Sequence, residues 1–360
     1  MRSLLPSSAK ANKKDDMHSN IFCVSVAVCS LVACGGDSKP AVAPPPAPPA
    51  AIGSAAPGTS GADMSADSTV TDPDIAHATQ SIEAGQYDDA KTSLQAALKK
   101  NPKANGPEAH YYLGVVAEKQ SDKTTAEKEY KEALKERPDF INPAENLGAI
   151  YIDAQKWDDA LAVTKPAETK HAQEAPLHLN MAIILAGKGD QPGSDGEFKQ
   201  AIQLTPSDPM FLLTYAHWLG AWKQQDAAIE KLRAARPLAK DDIGMLAAIG
   251  HEMHVVGAFA DCVPTFDRAI QLKDAAELRT ERAACKLGAK DEAGALADLQ
   301  AAVKEDSSYA PAHFYLGGRY AHAKKTKEAI AEFEAFLKLD PNSPIAAKAK
   351  EHLKQLKAGK

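Results

Sequence analysis

Aromatic residues are scarce: nine Phe, nine Tyr and three Trp make up 6% of the 360 residues, while the whole aliphatic and aromatic set reaches 44%. That pairing favours an alanine-rich helical protein over one built around large rings. An excess of positive charge is missing too. Lys and Arg number 42 against 48 Asp and Glu, a net charge of -6, so no global basic field is available to hold nucleic acid phosphates. Nowhere does an apolar run reach the roughly 18 residues that a spanning helix needs, which excludes a polytopic membrane protein. No serine or cysteine nucleophile sits in a local catalytic signature.

What is present begins with an address. Residues Ile21 to Ala33 (IFCVSVAVCSLVA) form an uncharged apolar stretch of thirteen residues, the length of a secretory h-region. Arg2, Lys10, Lys13 and Lys14 supply a positive n-region, diluted by Asp15 and Asp16, and translation could start at Met1 or at Met17. The run closes on Leu31-Val32-Ala33-Cys34-Gly35, which resembles the lipobox of bacterial lipoproteins. The resemblance implies that residues 1–33 are a signal peptide, that Cys34 is the lipidation site and first mature residue, and that the mature chain is lipid-anchored facing the periplasm. The alternative is an ordinary secretory signal that contains a cysteine. In that family Gly35, where sorting would read an aspartate as inner-membrane retention, favours the outer membrane. Residues 35–72 hold seven Pro, nine Ala, five Gly and five Ser with no aromatic residue. Such a composition cannot offset its ordering entropy, so 34–72 reads as an acylated cysteine on a disordered tether with a reach of about 35 Å.

From residue 73 onward one pattern repeats. Small residues recur at Ala90, Ala126, Ala160, Ser194, Ala228, Cys262, Ala295 and Ala329, at spacings of 33 to 36. Four residues after each stands Leu94, Tyr130, Thr164, Phe198, Leu232, Phe266, Leu299 or Phe333, and three further on Ala97, Ala133, Ala167, Ala201, Ala235, Ala269, Ala302 or Phe336. A 0, 4, 7 ladder is one face of a helix. Upstream of most rungs lies a pair such as Leu113-Gly114, Leu147-Gly148 or Leu316-Gly317, inside a second helical pattern. The first unit has His77-Ala78 there and the seventh Arg282-Ala283. Pro102, Pro138, Pro206 and Pro341 follow the second helix, while Pro166 falls inside one and predicts a kink. The Gly187–Gly196 stretch lacks the Lys-Ser/Thr ending of a phosphate loop and reads as an inter-helix turn.

These positions resemble the tetratricopeptide repeat (TPR). The resemblance implies an all-α fold: a right-handed α-solenoid of about eight TPR-like helix pairs over 73–343, plus a capping helix over 344–360 whose stripe is Ile345, Ala349, Leu353 and Leu356. It further implies an inner wall lined by the first helix of each pair. Carried onto this chain, that wall includes Tyr111, Leu179, Ile183, Met210, Leu213, His217, His251 and His254, with an apolar centre suited to a helix or extended apolar segment of a protein partner. The lysine and asparagine pairs with which chaperone-binding relatives clamp a carboxylate are not at these places. His251-Glu252-Met253-His254 has histidines three apart, whereas the zinc-protease motif needs four. No metal and no cofactor is therefore expected. Cys262 and Cys285 remain after the signal leaves, open to two readings: a disulfide, as export allows, or buried thiols filling tight helix contacts. The chain is expected to be no enzyme but a membrane-tethered periplasmic adaptor, similar in layout to pilotins and barrel-assembly accessory lipoproteins. The alternative is a metal-dependent enzyme, or enzyme subunit, using the groove histidines.

Overall fold

The computed structural model describes residues 72–359; the signal, Cys34 and the tether fall outside the described residues. Eight helix pairs follow one another. They are α1 (Pro73–Glu83) with α2 (Tyr87–Lys100), α3 (Pro102–Lys119) with α4 (Lys123–Glu136), α5 (Ile141–Asp153) with α6 (Trp157–Lys170), and α7 (Ala175–Gly187) with α8 (Gln191–Leu204). Then come α9 (Pro209–Ala221) with α10 (Gln225–Leu238), α11 (Ile243–Val255) with α12 (Phe259–Leu272), α13 (Ala276–Gly288) with α14 (Glu292–Glu305), and α15 (Ala310–His322) with α16 (Thr326–Leu339). A last helix, α17 (Ala346–Lys357), closes the series.

Local chemistry sets these boundaries. Asp72, Asp122, Asp208 and Asp291 each accept a bond from a backbone N–H in the first turn of the helix they precede, satisfying donors that have no partner inside the helix. Pro102 and Pro209 occupy first positions, where a missing N–H costs nothing. Each pair turns over on one left-handed residue, in order Gly85, Ser121, Gln155, Gly189, Lys223, Gly257, Lys290 and Lys324. The next N–H then reaches back to the last turn of the first helix, as in Gln86 to Ser81 (2.8 Å), Lys156 to Tyr151 (2.8 Å) and Ala258 to Met253 (2.7 Å). This is the Schellman geometry, and its recurrence keeps the eight turns alike.

The structure sharpens the expected boundaries in three places. Helix α3 starts at Pro102, so the connection from α2 narrows to Asn101, whose side chain caps the new helix. Helix α6 runs unbroken through Pro166 to Lys170. The glycine-rich stretch contributes only Lys188–Asp190 as a turn, because Asp190 caps α8 and draws Gly193 and Gly196 into it.

Every rung of the ladder is buried, from Ala90, Leu94 and Ala97 to Ala329, Phe333 and Phe336. Small residues let the two helices of a pair approach, and large ones fill the space between neighbouring pairs. First helices also pack directly on first helices of the next unit, as α5 on α7, α9 on α11, and α11 on α13. Successive second helices make no comparable contact among the described residues, so the first helices form the tighter, inner wall. One apolar cluster runs from Ile75 in α1 to Cys285 in α13. At the far end Ala346, Ala349 and Leu353 of α17 cover Phe333 and Phe336, which closes the stack.

Candidate partner-binding groove

The inner wall consists of the first-helix residues that point away from the second helices. In the middle units these side chains are enclosed. Leu179 and Ile183 are 0% and 1% exposed and Leu213 is 5% exposed, all within the continuous core. The expectation of an open apolar centre is therefore corrected at Leu179, Ile183 and Leu213. Helix α7 packs against α5, and α9 against α11, closely enough that large apolar residues at these positions fill the seam rather than line a channel. Tyr111 and His217 are likewise largely buried. Met210, His251 and His254 stay partly open, as do Ala247, Glu118 and Glu145.

The N-terminal part of the wall is acidic. Tyr130 donates through its hydroxyl to Glu118 Oε2 (2.6 Å), and Asn146 Nδ2 donates to that hydroxyl (2.9 Å). Burial raises the Glu118 carboxyl above its ordinary value, opposed by the bond from Tyr130. One unit on, burial pushes the Glu145 carboxyl up to about 8, with Glu174 adding like charge. Tyr111 lies against Tyr130 and Phe140, and burial pushes its phenol up to about 12.

Toward the C-terminus the wall carries histidines joined across units. His217 on α9 faces Glu252 Oε2 on α11 at 3.3 Å, and His251 on α11 faces Glu281 Oε2 on α13 at 3.4 Å. The hydrogen bond to Glu281 raises the His251 imidazole, whereas burial lowers that of His254. Each pair joins one imidazole to one carboxylate. His217, His251 and His254 do not converge with carboxylates into a three-ligand set, so the metal-enzyme reading gains no geometry from them.

Two further groups lie outside the groove. Cys262 on α12 and Cys285 on α13 are joined as a disulfide, with Cα atoms 5.8 Å apart, inside the span a bridge requires. Glu168, His178 and Glu197 bring one ligand atom each within 4.8 Å of one another. Sequence reasoning missed that set, although a signal existed. Glu168 stands eight residues after Ala160, where the other units hold Leu98, Leu134, Ile202, Ile270, Val303 and Leu337, with Arg236 in the fifth.

The tetratricopeptide-repeat family model matches residues 75–139, the first two units, and 286–344, which hold α14, α15 and α16. Over those residues the chain matches the tetratricopeptide repeat, and it folds as an all-α repeat solenoid. It is 27% identical over 217 residues to the cellulose synthase 2 operon protein C of Komagataeibacter xylinus, covering 58% of this chain and 16% of that protein. The chain thus spans about one-sixth of the length of the curated relative it matches. Among solved structures, yeast Tom70 superposes with a TM-score of 0.51 at 15% identity, covering 76% of this chain and 59% of that one. A tetratricopeptide repeat protein from Parabacteroides merdae gives 0.46 at 16%, covering 79% and 97%. At these identities the likeness to solved structures is one of fold.

Burial reverses the expected outcome of an inner-wall substitution. Leu213→Glu places an unpaired carboxylate in the core cluster, which costs several kcal/mol unless the group protonates or the unit opens. Circular dichroism melting should show a lower midpoint with loss of helical signal. A variant that melts as wild type does would put Leu213 back on an open surface.

Proposed function

We propose that the protein is a membrane-tethered interaction scaffold of the bacterial envelope, holding a protein partner along the inner wall of its solenoid. Stacked helix pairs build a long, rigid surface from short repeats, and tetratricopeptide solenoids serve generally as protein-interaction scaffolds. The observation that carries the reading is the partly open stretch of inner wall formed by Met210, Ala247, His251 and His254, set between closed units that hold it in shape. A thioether in the first turn of α9 and imidazoles toward the end of α11 suit a segment that is apolar with polar edges. Support for tethering lies in the sequence: an h-region ending in Leu-Val-Ala-Cys-Gly, then a Pro/Ala/Gly/Ser spacer with the reach to hold the solenoid clear of a bilayer.

Two experiments test the two halves separately. A photoreactive residue at Met210 or His254 should capture one and the same protein in cells. Placed at Lys199, on a second helix facing solvent, it should not; equal capture at both places would refute the inner wall as the docking surface. Cys34→Ser should move the protein from the membrane to the soluble fraction. Protein that stays membrane-bound in high salt without detergent would show that the thiol is not the anchor.

A further inference from the structure

Three units carry the same histidine–glutamate pair. His110 Nδ1 lies 2.7 Å from Glu129 Oε2, His178 Nδ1 2.6 Å from Glu197 Oε2, and His313 Nδ1 2.6 Å from Glu332 Oε2. In each the histidine is on a first helix and the glutamate nineteen residues later on the second. Only the middle pair has a third ligand beside it. Leu98 precedes His110 and Val303 precedes His313 at the position that Glu168 holds before His178. An apolar packing residue has given way to a buried carboxylate, 8% exposed, against a histidine that is 5% exposed.

That exchange is costly unless a cation compensates it. Glu168 and Glu197 offer oxygens within 4.8 Å of each other, so like charges meet in a largely enclosed space. Glu168 also stands in the last turn of α6, where the helix dipole disfavours a negative charge. Lys165 Nζ reaches Glu168 Oε2 at 2.7 Å, but its side chain is 54% exposed and its charge is screened by solvent.

The imidazole is held as a metal ligand requires. His178 Nε2 faces the Ala172 carbonyl at 3.1 Å, and a carbonyl accepts only from an N–H, so Nε2 carries a proton. The remaining nitrogen, Nδ1, is the one directed at the carboxylates. Metal-bound histidines are commonly oriented by such a bond from their other nitrogen.

We propose that Glu168, His178 and Glu197 bind one divalent cation of the zinc class at the seam between the third and fourth helix pairs. One imidazole nitrogen and two carboxylate oxygens suit that ion, with water in the fourth position. On binding, the ion takes the place of the proton shared between Nδ1 and Glu197 Oε2, which leaves to solvent, and Lys165 swings out into water. The ion links α6 to α7 and α8 and so pins one unit to the next.

Full-length protein stripped with chelator and then titrated with zinc chloride tests this by calorimetry and thermal melting. Wild type should take up one ion that Glu168→Leu does not, and its melting midpoint should rise by about 5 °C at saturation. Glu168→Leu installs the residue type that other units hold there and should fold; Glu168→Gln, which keeps the shape, should lose the rise as well. Glu129→Gln, which breaks the pair of the second unit, should keep it. A wild type that does not respond, or a response retained in both Glu168 variants, would overturn the site.

Discussion

The contact on which the stack depends is between a small residue of each first helix, Gly or Ala, and the second helix of its pair; in the second, sixth and eighth units it is a glycine against a ring. A Cβ on Gly114 would meet Tyr130 Cε1 at 2.4 Å, and one on Gly250 would meet Phe266 Cε2 at 2.7 Å. Both rings are fully buried and have no free volume into which to move. Glycine costs about 1 kcal/mol of helix propensity at such a position, so its presence there is explained by packing. The close approach lets the ring fill the space between units, and it leaves the first helices near enough to touch their neighbours. From that follow the continuous core and the closed centre of the inner wall.

Where the contact changes, the seams change with it. In the third unit Thr164 takes the place of the ring, and Thr164 Oγ1 and Asn180 Oδ1 are left without a protein partner in the core. The second unit shows what is missing, since Asn146 reaches the hydroxyl of Tyr130. In the seventh unit Arg282 replaces the leucine. It donates to both oxygens of Asp298 (2.8 and 2.6 Å) and to Asp267 (2.7 Å), while Lys286 adds a further contact at 2.8 Å. Burial alone would raise the Asp298 carboxyl, but these bonds hold it below the usual carboxylate range. The main apolar cluster ends at this point, with the disulfide between Cys262 and Cys285 at its end, and smaller clusters take over. Ionic and covalent links thus stand where apolar burial is interrupted.

The fold was legible in the sequence because two periods reinforce each other. Helical spacing placed Ala126, Tyr130 and Ala133 on one face, and the 34-residue repeat placed the same face in every unit. The final stripe from Ile345 to Leu356 was readable for the same reason. Exposure was not. Whether Leu179 lines a groove or fills a seam depends on how closely α5 and α7 approach, a property of two helices together that the pattern within one does not contain. The Glu168 set was hidden for another reason: its three members come from α6, α7 and α8, and each alone looks like a polar residue on a helix. Only comparison of the same position across units marks Glu168 as out of place.

The most direct measurement is a double-mutant cycle on the glycine and its ring. Gly250→Ala adds one methyl group and improves helix propensity, so local preference alone would raise the melting midpoint. If close approach governs the stack, the midpoint falls in the wild-type background, where overpacking typically costs about 1–3 kcal/mol. It should fall less, or rise, when Phe266→Leu first removes the ring edge. A Gly250→Ala protein more stable than wild type, with no coupling to position 266, would contradict the account.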